Sequence, residues 1–182
     1  PTFKQEWDHV RKRIDDERNS VRSVPTAALV TRMDEAIGKV LQTIEKRGER
    51  ESTLVIFLSD NGGSGNGDNK PLRGHKSQMW EGGLRVPFVA RWPGKIPAGT
   101  VTDEFLTALE LYPTLAAASG ARAGAQMDGF DMLPVLAGQA RSPRTEMFWQ
   151  RRGDQAARVG QWKWVQSAAG QGLFDLSNDK AE

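Results

Sequence analysis

A short apolar run that ends in a polar, glycine-rich loop constrains this chain more than any other feature. Residues 53–58 read Thr-Leu-Val-Ile-Phe-Leu, without the alternation that marks a strand with one solvated face. We therefore expect a central strand covered on both faces, as in an α/β sheet. Residues 59–63 follow as Ser-Asp-Asn-Gly-Gly. Because ligands bind at the carboxyl ends of strands in open α/β sheets, this loop is where chemistry is expected.

The residues on either side of this strand predict further elements. Apolar residues at three- and four-residue spacing predict a helix over about residues 28–44, with one buried face and a stop at Gly48. Residues 84–91 predict a second strand. Residues 106–119 predict another helix, with Gly120 as its cap.

The two ends of the chain differ in character. Charges of alternating sign over residues 3–19 indicate a solvated helix or an irregular surface stretch, and the Gly-, Pro- and Ala-rich residues 121–144 indicate a connecting segment. Three strand candidates then predict a small antiparallel sheet. They are residues 146–150, 159–166 and 172–176.

Composition excludes several classes of function. The 182 residues, 38% of them hydrophobic, suit one ordinary domain core or a piece of a larger domain. Lys plus Arg total 25 against 23 for Asp plus Glu, so nothing in the charge favours nucleic-acid binding. The absence of cysteine excludes disulfides, thiolate zinc sites and thiol nucleophiles within this sequence. No apolar stretch approaches membrane-spanning length.

Asp60 and Asn61 place a carboxylate and an amide oxygen side by side at the end of the predicted strand. Hard oxygen ligands suit calcium or magnesium rather than zinc. Asp-Asn-Gly is also ordinary turn chemistry, because both side chains bond their own backbone and glycine accepts a positive φ. Locally, both interpretations stay open.

Three familiar loop motifs fail on this segment. An EF-hand that begins at Asp60 needs Glu at its twelfth position, where Pro71 stands. A dinucleotide fingerprint needs glycines that open a helix, but the glycines of residues 62–67 lead into Asn-Lys-Pro. A Walker loop needs Gly-Lys-Ser, but here His75 separates glycine from lysine.

Cationic side chains cluster shortly after this loop. An anion pocket is the functional interpretation, and a solvated charged loop is the alternative for any one of them. We expect Arg85 to form a structural ion pair. The cluster comprises Lys70, Arg73, His75, Lys76 and Arg85.

Four segments read together resemble successive blocks of the type I sulfatase family, in the family's order. They are LVIFLSDNGG, PLRGHKSQMWEGGLRVPFVARWPGKIPAG, LYPTLAAASG and GLFDLSNDKAE. ALVTRMDEAIGKVL, further upstream, resembles the helix that precedes the metal strand in that family. The likeness therefore runs from about Ala28 to the last residue.

The resemblance implies a fold. Sulfatases share the alkaline-phosphatase-like α/β architecture, a mixed sheet with flanking helices followed by a small C-terminal antiparallel sheet. We expect residues 1–140 to form the C-terminal portion of the α/β domain and residues 141–182 to begin the small subdomain. A sheet without its preceding strands exposes pairing edges, which homo-oligomerisation or strand exchange could cover.

The resemblance also implies site residues. Asp60 and Asn61 match calcium ligands, and Lys76 matches the catalytic lysine that binds a sulfate oxygen. His75 and Trp80 are expected to line the substrate pocket. Fixed cations would stabilise the charge that develops on the sulfuryl oxygens of a sulfate ester during hydrolysis. We therefore expect the oxygen donors and the lysine ammonium to converge on one sulfuryl group.

The family's nucleophile, a formylglycine, is made from a Cys- or Ser-x-Pro-Ser-Arg motif far upstream of the metal strand. The nearest match here, residues 23–27 (Ser-Val-Pro-Thr-Ala), lacks the arginine, and Ser followed by Pro is a typical helix start. Two oxygen ligands also fall short of the ~6 to 8 that calcium takes. We therefore expect a C-terminal fragment of a sulfatase, inactive alone, whose parent enzyme binds Ca²⁺.

Two alternatives stay open. Phosphodiesterases and phosphonate hydrolases of the same superfamily often have Asp-His at the metal loop, where Asn61 instead favours a calcium sulfatase. A truncated, non-catalytic binding protein is the other alternative. The family acts on aryl, carbohydrate and choline sulfates. By analogy with bacterial members we expect a periplasmic or secreted location.

Overall fold

The computed structural model describes residues 23–64, 67–122, 124 and 126–182, with side chains from residue 27 onward. The chain divides into two compact units. In the described residues, one unit contains the first helix, and the other, residues 51–64 and 69–182, contains every strand. The charged segment 3–19 lies outside the described residues, and the boundary expected after residue 140 stays a prediction.

Helix α1 (Ser23–Lys46) confirms the predicted helix. It ends as expected at Gly48, whose φ is +69° and whose amide donates to the Glu45 carbonyl at 3.0 Å. The predicted buried face is wrong, because no side chain between Ala27 and Lys46 is buried. The described residues of this unit place no second helix or strand against α1. None of the helices in the described part of the chain has the length and apolar character needed to span a bilayer.

Strand β1 (Val55–Leu58) confirms a strand in the apolar run, but not its expected place in a sheet. It pairs antiparallel with β2 (Phe88–Arg91), from Val55 opposite Arg91 to Leu58 opposite Phe88. Within the described ranges β2 is its one partner. Phe57 keeps 39% of its surface exposed, so the prediction of a central strand covered on both faces is wrong for this chain.

The strand predicted over residues 84–91 begins later, at Phe88, because Leu84 ends a short helix and residues 85–87 belong to neither element. Residues Glu81–Leu84 form helix α2, closed by a bond of 2.7 Å from the Arg85 amide to the Glu81 carbonyl. The apolar character of residues 84–91 concealed this turn. The two glycines of this helix, Gly82 and Gly83, lie at the base of the candidate site.

The helix predicted over residues 106–119 is confirmed in two parts. A 3₁₀ turn at Ala108–Glu110 leads into α3 (Leu111–Ser119). Thr107 and Glu110 form a capping box at the start of the turn. Gly120 ends α3 in the left-handed conformation, as predicted.

The predicted small antiparallel sheet is confirmed, with four strands in sequential order instead of three. The missed strand, β4, reads Asp-Gln-Ala-Ala-Arg-Val, so its last residue is its one β-branched or aromatic residue and the signal for a strand is weak. The connecting segment also contains a short helix that the sequence did not predict. The elements are α4 (Leu133–Leu136), β3 (Glu146–Arg151), β4 (Asp154–Val159), β5 (Trp162–Ser167) and β6 (Gly170–Asp175).

The two faces of this sheet have opposite environments. On the inner face, Ala156 and Val165 pack with Met79 and Trp80 in the buried core. On the outer face, one cross-strand row contains three exposed apolar side chains. They are Phe148, Trp164 and Leu173, with Ala157 between the first two.

A buried ion network joins the inner face to α2. The Lys163 side chain has no exposed surface, and its Nζ lies 2.8 Å from Glu81 Oε1 and 2.8 Å from Glu182 Oε1. The Glu81 amide donates to Glu182 Oε2. Burial raises the pKa of the Glu182 carboxyl, and its bonds to the Glu81 amide and Lys163 ammonium partly oppose that rise. One ammonium thus compensates two desolvated carboxylates.

Replacing Lys163 by methionine keeps the length of the side chain but leaves two buried carboxylates without a cation. We expect the free energy of unfolding, measured by urea denaturation at neutral pH, to fall by about 3–5 kcal/mol. The control Lys95→Met, at an exposed lysine, should change it by no more than about 0.5 kcal/mol. Equal small changes in both variants would contradict a structural role for the network.

Candidate functional site

The polar loop after β1 lies against α2 and the segment that leads from α2 to β2. The Ser59 amide donates to the Pro87 carbonyl at 3.2 Å, and the Gly62 amide donates to the Gly83 carbonyl at 3.1 Å. Between these two bonds, Asp60 is exposed and Asn61 is half-buried. The backbone on both sides of the predicted metal ligands is therefore fixed.

Glycines allow three backbone segments to meet beneath this loop. A Cβ on Gly62 would lie 1.7 Å from the Gly82 carbonyl oxygen, and one on Gly82 would lie 2.5 Å from that of Gly74. A Cβ on Gly83 would lie 2.2 Å from the Gln78 carbonyl oxygen. Because these neighbours are backbone atoms, they cannot give way as a flexible side chain would. We call residues 59–64, which contain the predicted ligands Asp60 and Asn61, the metal loop, and residues 73–78 the lysine loop. Both loops and α2 depend on these glycines for their packing.

Lys76 lies in the lysine loop, and its backbone bonds the metal loop. Its amide donates to the Gly63 carbonyl at 3.0 Å. The next residue, Ser77, has φ of +76°, which is unusual for a residue other than glycine, and Gln78 closes the turn by donating to the His75 carbonyl at 3.0 Å. The Lys76 side chain is exposed. The structure therefore brings the loops of Lys76 and Asp60 side by side through their backbones.

The other two predicted pocket residues occupy different environments. His75 is exposed, with its Nδ1 3.0 Å from the Lys76 carbonyl oxygen. Trp80 is 1% exposed and packs edge-on to Phe174, with ring centroids 5.7 Å apart. The Trp80 Nε1 is buried without a hydrogen-bond partner among the described residues. Trp80 thus belongs to the core beneath the loop, and its contact with substrate stays a prediction.

Two arginines of the cationic cluster have structural partners. Arg73 lies 3.8 Å over the Trp80 ring and donates to the Ala169 carbonyl at 3.2 Å, at the turn before β6. Arg85 pairs with Asp103 at 3.3 Å, which confirms the structural ion pair predicted for it. Lys76, in contrast, bonds the loop after β1 through its backbone amide.

The donor set fits calcium in type but not in number. Asp60 and Asn61 offer hard oxygens, as calcium prefers. In the described part of the chain, no group of three or more His, Cys, Asp or Glu side chains is placed to hold a metal ion. These two residues would therefore supply only part of a coordination shell.

Two contributors to the site gave no usable signal in the sequence. Lys163 alternates with Trp162 and Trp164, and that pattern predicts the tryptophans, not the lysine, on the buried face. Asn69 stands in a polar loop where asparagine is common, yet its side chain bonds both Gly63 and Gly74. The contacts of these side chains in the folded structure are what identifies their roles.

A surface cavity of about 420 Å³ is lined by none of the predicted site residues. Its one cation, Arg144, already donates to the buried Glu110 carboxylate at 2.9 Å. Its lining comprises Asp128, Gly129, Phe130, Pro143, Arg144, Thr145 and Glu146. This cavity therefore offers no uncompensated positive charge to an anionic substrate.

Two family models match the chain. The model described as Sulfatase matches residues 4–121, and the model described as N-sulphoglucosamine sulphohydrolase, C-terminal, matches residues 74–182. Together they extend over nearly the whole sequence and overlap across the lysine loop and α2.

Curated relatives agree with these models. Arylsulfatase A of Homo sapiens is 39% identical over 161 residues, which cover 82% of this chain and 32% of that protein. N-acetylgalactosamine-6-sulfatase of Canis lupus familiaris is 33% identical over 153 residues, which cover 76% of this chain and 29% of that protein. The chain thus spans about a third of the length of these relatives.

Solved structures share the fold. The crystal structure of Ps i-CgsB in complex with k-i-k-neocarrahexaose matches with a TM-score of 0.82 and 33% identity, over 90% of this chain and 39% of that one. The phosphonate monoester hydrolase SpPMH from Silicibacter pomeroyi matches with a TM-score of 0.63 and 22% identity, over 84% of this chain and 34% of that one. The second likeness shows the fold alone.

Replacing Gly82 by alanine tests the glycine contacts beneath the site. The new Cβ would meet the Gly74 and Arg73 carbonyl oxygens at 2.5 and 2.6 Å, so we expect a loss of about 1–3 kcal/mol in the free energy of unfolding. Gly153→Ala is the control, because nothing lies within 4 Å of its Cβ position, and it should stay within about 0.5 kcal/mol. Urea denaturation of both variants makes the comparison, and equal effects would refute the proposed packing constraint.

Proposed function

The chain belongs to the sulfatase family, and from this membership we propose that it forms part of an enzyme that hydrolyses sulfate esters. The observation that carries the proposal is the backbone hydrogen bond from Lys76 to Gly63. This bond joins the lysine loop to the loop of Asp60 and Asn61, the residues expected to meet at one sulfuryl group. The activity belongs to the longer enzyme, since the chain spans about a third of its relatives.

In this proposal Lys76 acts as a fixed positive charge. Hydrolysis of a sulfate ester moves negative charge onto the leaving oxygen and the nonbridging oxygens of the sulfuryl group. An ammonium near those oxygens stabilises the transition state more than the ground state, which accelerates the reaction. The exposed side chain can reach a bound substrate, while the anchored backbone limits where it can go.

Asp60 and Asn61 would hold one side of a Ca²⁺ ion. When bound, such an ion supplies Lewis-acid stabilisation to a sulfuryl oxygen. The remaining ligands, and the formylglycine nucleophile implied by the family, would come from outside this sequence. We therefore propose that the 182 residues alone do not turn over substrate.

The substrate class is proposed to be a carbohydrate sulfate ester. Among the relatives, one is named N-acetylgalactosamine-6-sulfatase, and a solved structure with 33% identity is a complex with k-i-k-neocarrahexaose. A phosphonate monoester hydrolase has the same fold and is the second candidate. Asn61 favours the sulfatase, because an amide oxygen suits calcium whereas imidazole suits zinc or manganese.

Replacing Lys76 by alanine in the longer enzyme should lower kcat for an aryl sulfate. We expect a fall of about 100- to 1,000-fold, as for the loss of one donor that stabilises transition-state charge. The matched control is Lys95→Ala, at another exposed lysine, and it should leave kcat unchanged. Wild-type turnover in Lys76→Ala would remove the role assigned to this residue.

Replacing Asp60 by alanine in the same enzyme should weaken calcium binding. A direct ligand should cost more than the roughly 10- to 100-fold in affinity that loss of an outer-shell partner costs. Isothermal titration calorimetry with Ca²⁺ measures the effect, and Asp103→Ala, at an exposed carboxylate, is the control. Equal affinity in both variants would contradict the metal assignment.

A further inference from the structure

The Asn69 side chain joins the two loops of the candidate site. Its Oδ1 accepts from the Gly63 amide at 2.9 Å, and its Nδ2 donates to the Gly63 and Gly74 carbonyls, both at 3.0 Å. An asparagine amide can make four hydrogen bonds, so three of them are used here. Gly63 lies two residues after Asn61, and Gly74 lies two residues before Lys76.

The Gly63 carbonyl is the point where these contacts meet. It accepts from the Asn69 amide and from the Lys76 backbone amide, each at 3.0 Å. A carbonyl oxygen has two lone pairs, so both are occupied. The Asn69 side chain and the Lys76 backbone therefore donate to the same carbonyl oxygen.

Two further backbone contacts tie each loop to α2. Gly62 donates to Gly83, and Gly82 donates to Arg73 at 2.7 Å. Loss of the asparagine amide would remove one direct link between the loops and leave the backbone bond from Lys76 to Gly63.

We propose that Asn69 is a positioning residue of the sulfatase site, whose amide sets where Lys76 stands relative to Asp60 and Asn61. The inference rests on the proposed function, because it assigns Asn69 an effect on turnover through Lys76. A shift of about 1 Å in a catalytic group can cost a hundredfold in rate. Three bonds from one half-buried side chain are a direct means of preventing such a shift.

The test is a double-mutant cycle of Asn69→Ala and Lys76→Ala in the longer enzyme, with an aryl sulfate as substrate. We expect Asn69→Ala alone to lower kcat by roughly 10- to 100-fold. In the Lys76→Ala background the same substitution should lower kcat by less than about threefold, because the group that it positions is gone. Asn178→Ala, at an exposed asparagine whose amide donates to Asp175, is the matched control and should leave kcat unchanged.

The outcomes separate the two proposals. Unchanged kcat in Lys76→Ala would defeat the proposed role of the lysine, and the inference about Asn69 with it. A large fall in Lys76→Ala together with unchanged kcat in Asn69→Ala would overturn the inference alone. An equal fall from Asn69→Ala in both backgrounds would also overturn it, because the asparagine would then act independently of the lysine.

Two further measurements keep the test independent of activity and of folding. Calorimetry with inorganic sulfate should show weaker binding in Asn69→Ala than in Asn178→Ala, and equal binding would count against the inference. If Asn69→Ala does not fold, Asn69→Asp enters the same cycle, since it keeps the size of the side chain and the acceptor for the Gly63 amide. Hydrogen exchange at the Lys76 amide should accelerate in either variant, and retained protection would overturn the inference.

Discussion

The buried contact between Lys163 and Glu81 is the interaction on which the rest of the structure depends. It connects a strand of the small sheet to the first residue of α2, and the Glu81 amide also bonds the Glu182 carboxylate. The next two residues of α2 bond both loops of the site, because Gly83 accepts from the metal loop and Gly82 donates to the lysine loop. An ion pair with almost no exposed surface is screened little by salt and tolerates little displacement. The C-terminal sheet thereby fixes the floor of a site to which it contributes no predicted ligand.

The elements that the sequence predicted correctly are those with strong local signals. The period of α1, the glycine caps after α1 and α3, and the β-branched run of β1 each reflect the preference of the local backbone. The errors arose where partners decide the outcome. Burial of α1 and a central place for β1 require other elements to cover them, and periodicity does not state whether this chain supplies those elements.

The residues of the candidate site also fall into those that the sequence suggests by residue type and those whose roles depend on contacts. Neighbouring oxygen donors at a strand end and a lysine in a glycine-rich loop could be found in the sequence, because their chemistry is carried by residue type. Lys163 and Asn69 could not, because their roles are contacts across 82 residues of sequence in one case and within an ordinary polar loop in the other. Arg73 illustrates the same limit, because its residue type does not distinguish a cation that binds an anion from one that stacks on Trp80.

Burial separates the groups that hold the site from the groups that would act in it. Glu81, Trp80 and Lys163 are removed from water, whereas Asp60 and Lys76 are exposed. The high dielectric constant of water weakens the interaction between charges. A catalytic charge therefore becomes effective when protein excludes water from the site. This chain therefore supplies geometry without the low-dielectric surroundings that the chemistry needs. In the proposed enzyme, those surroundings would come from the protein that covers the half-buried strand β1 and the loop that follows it.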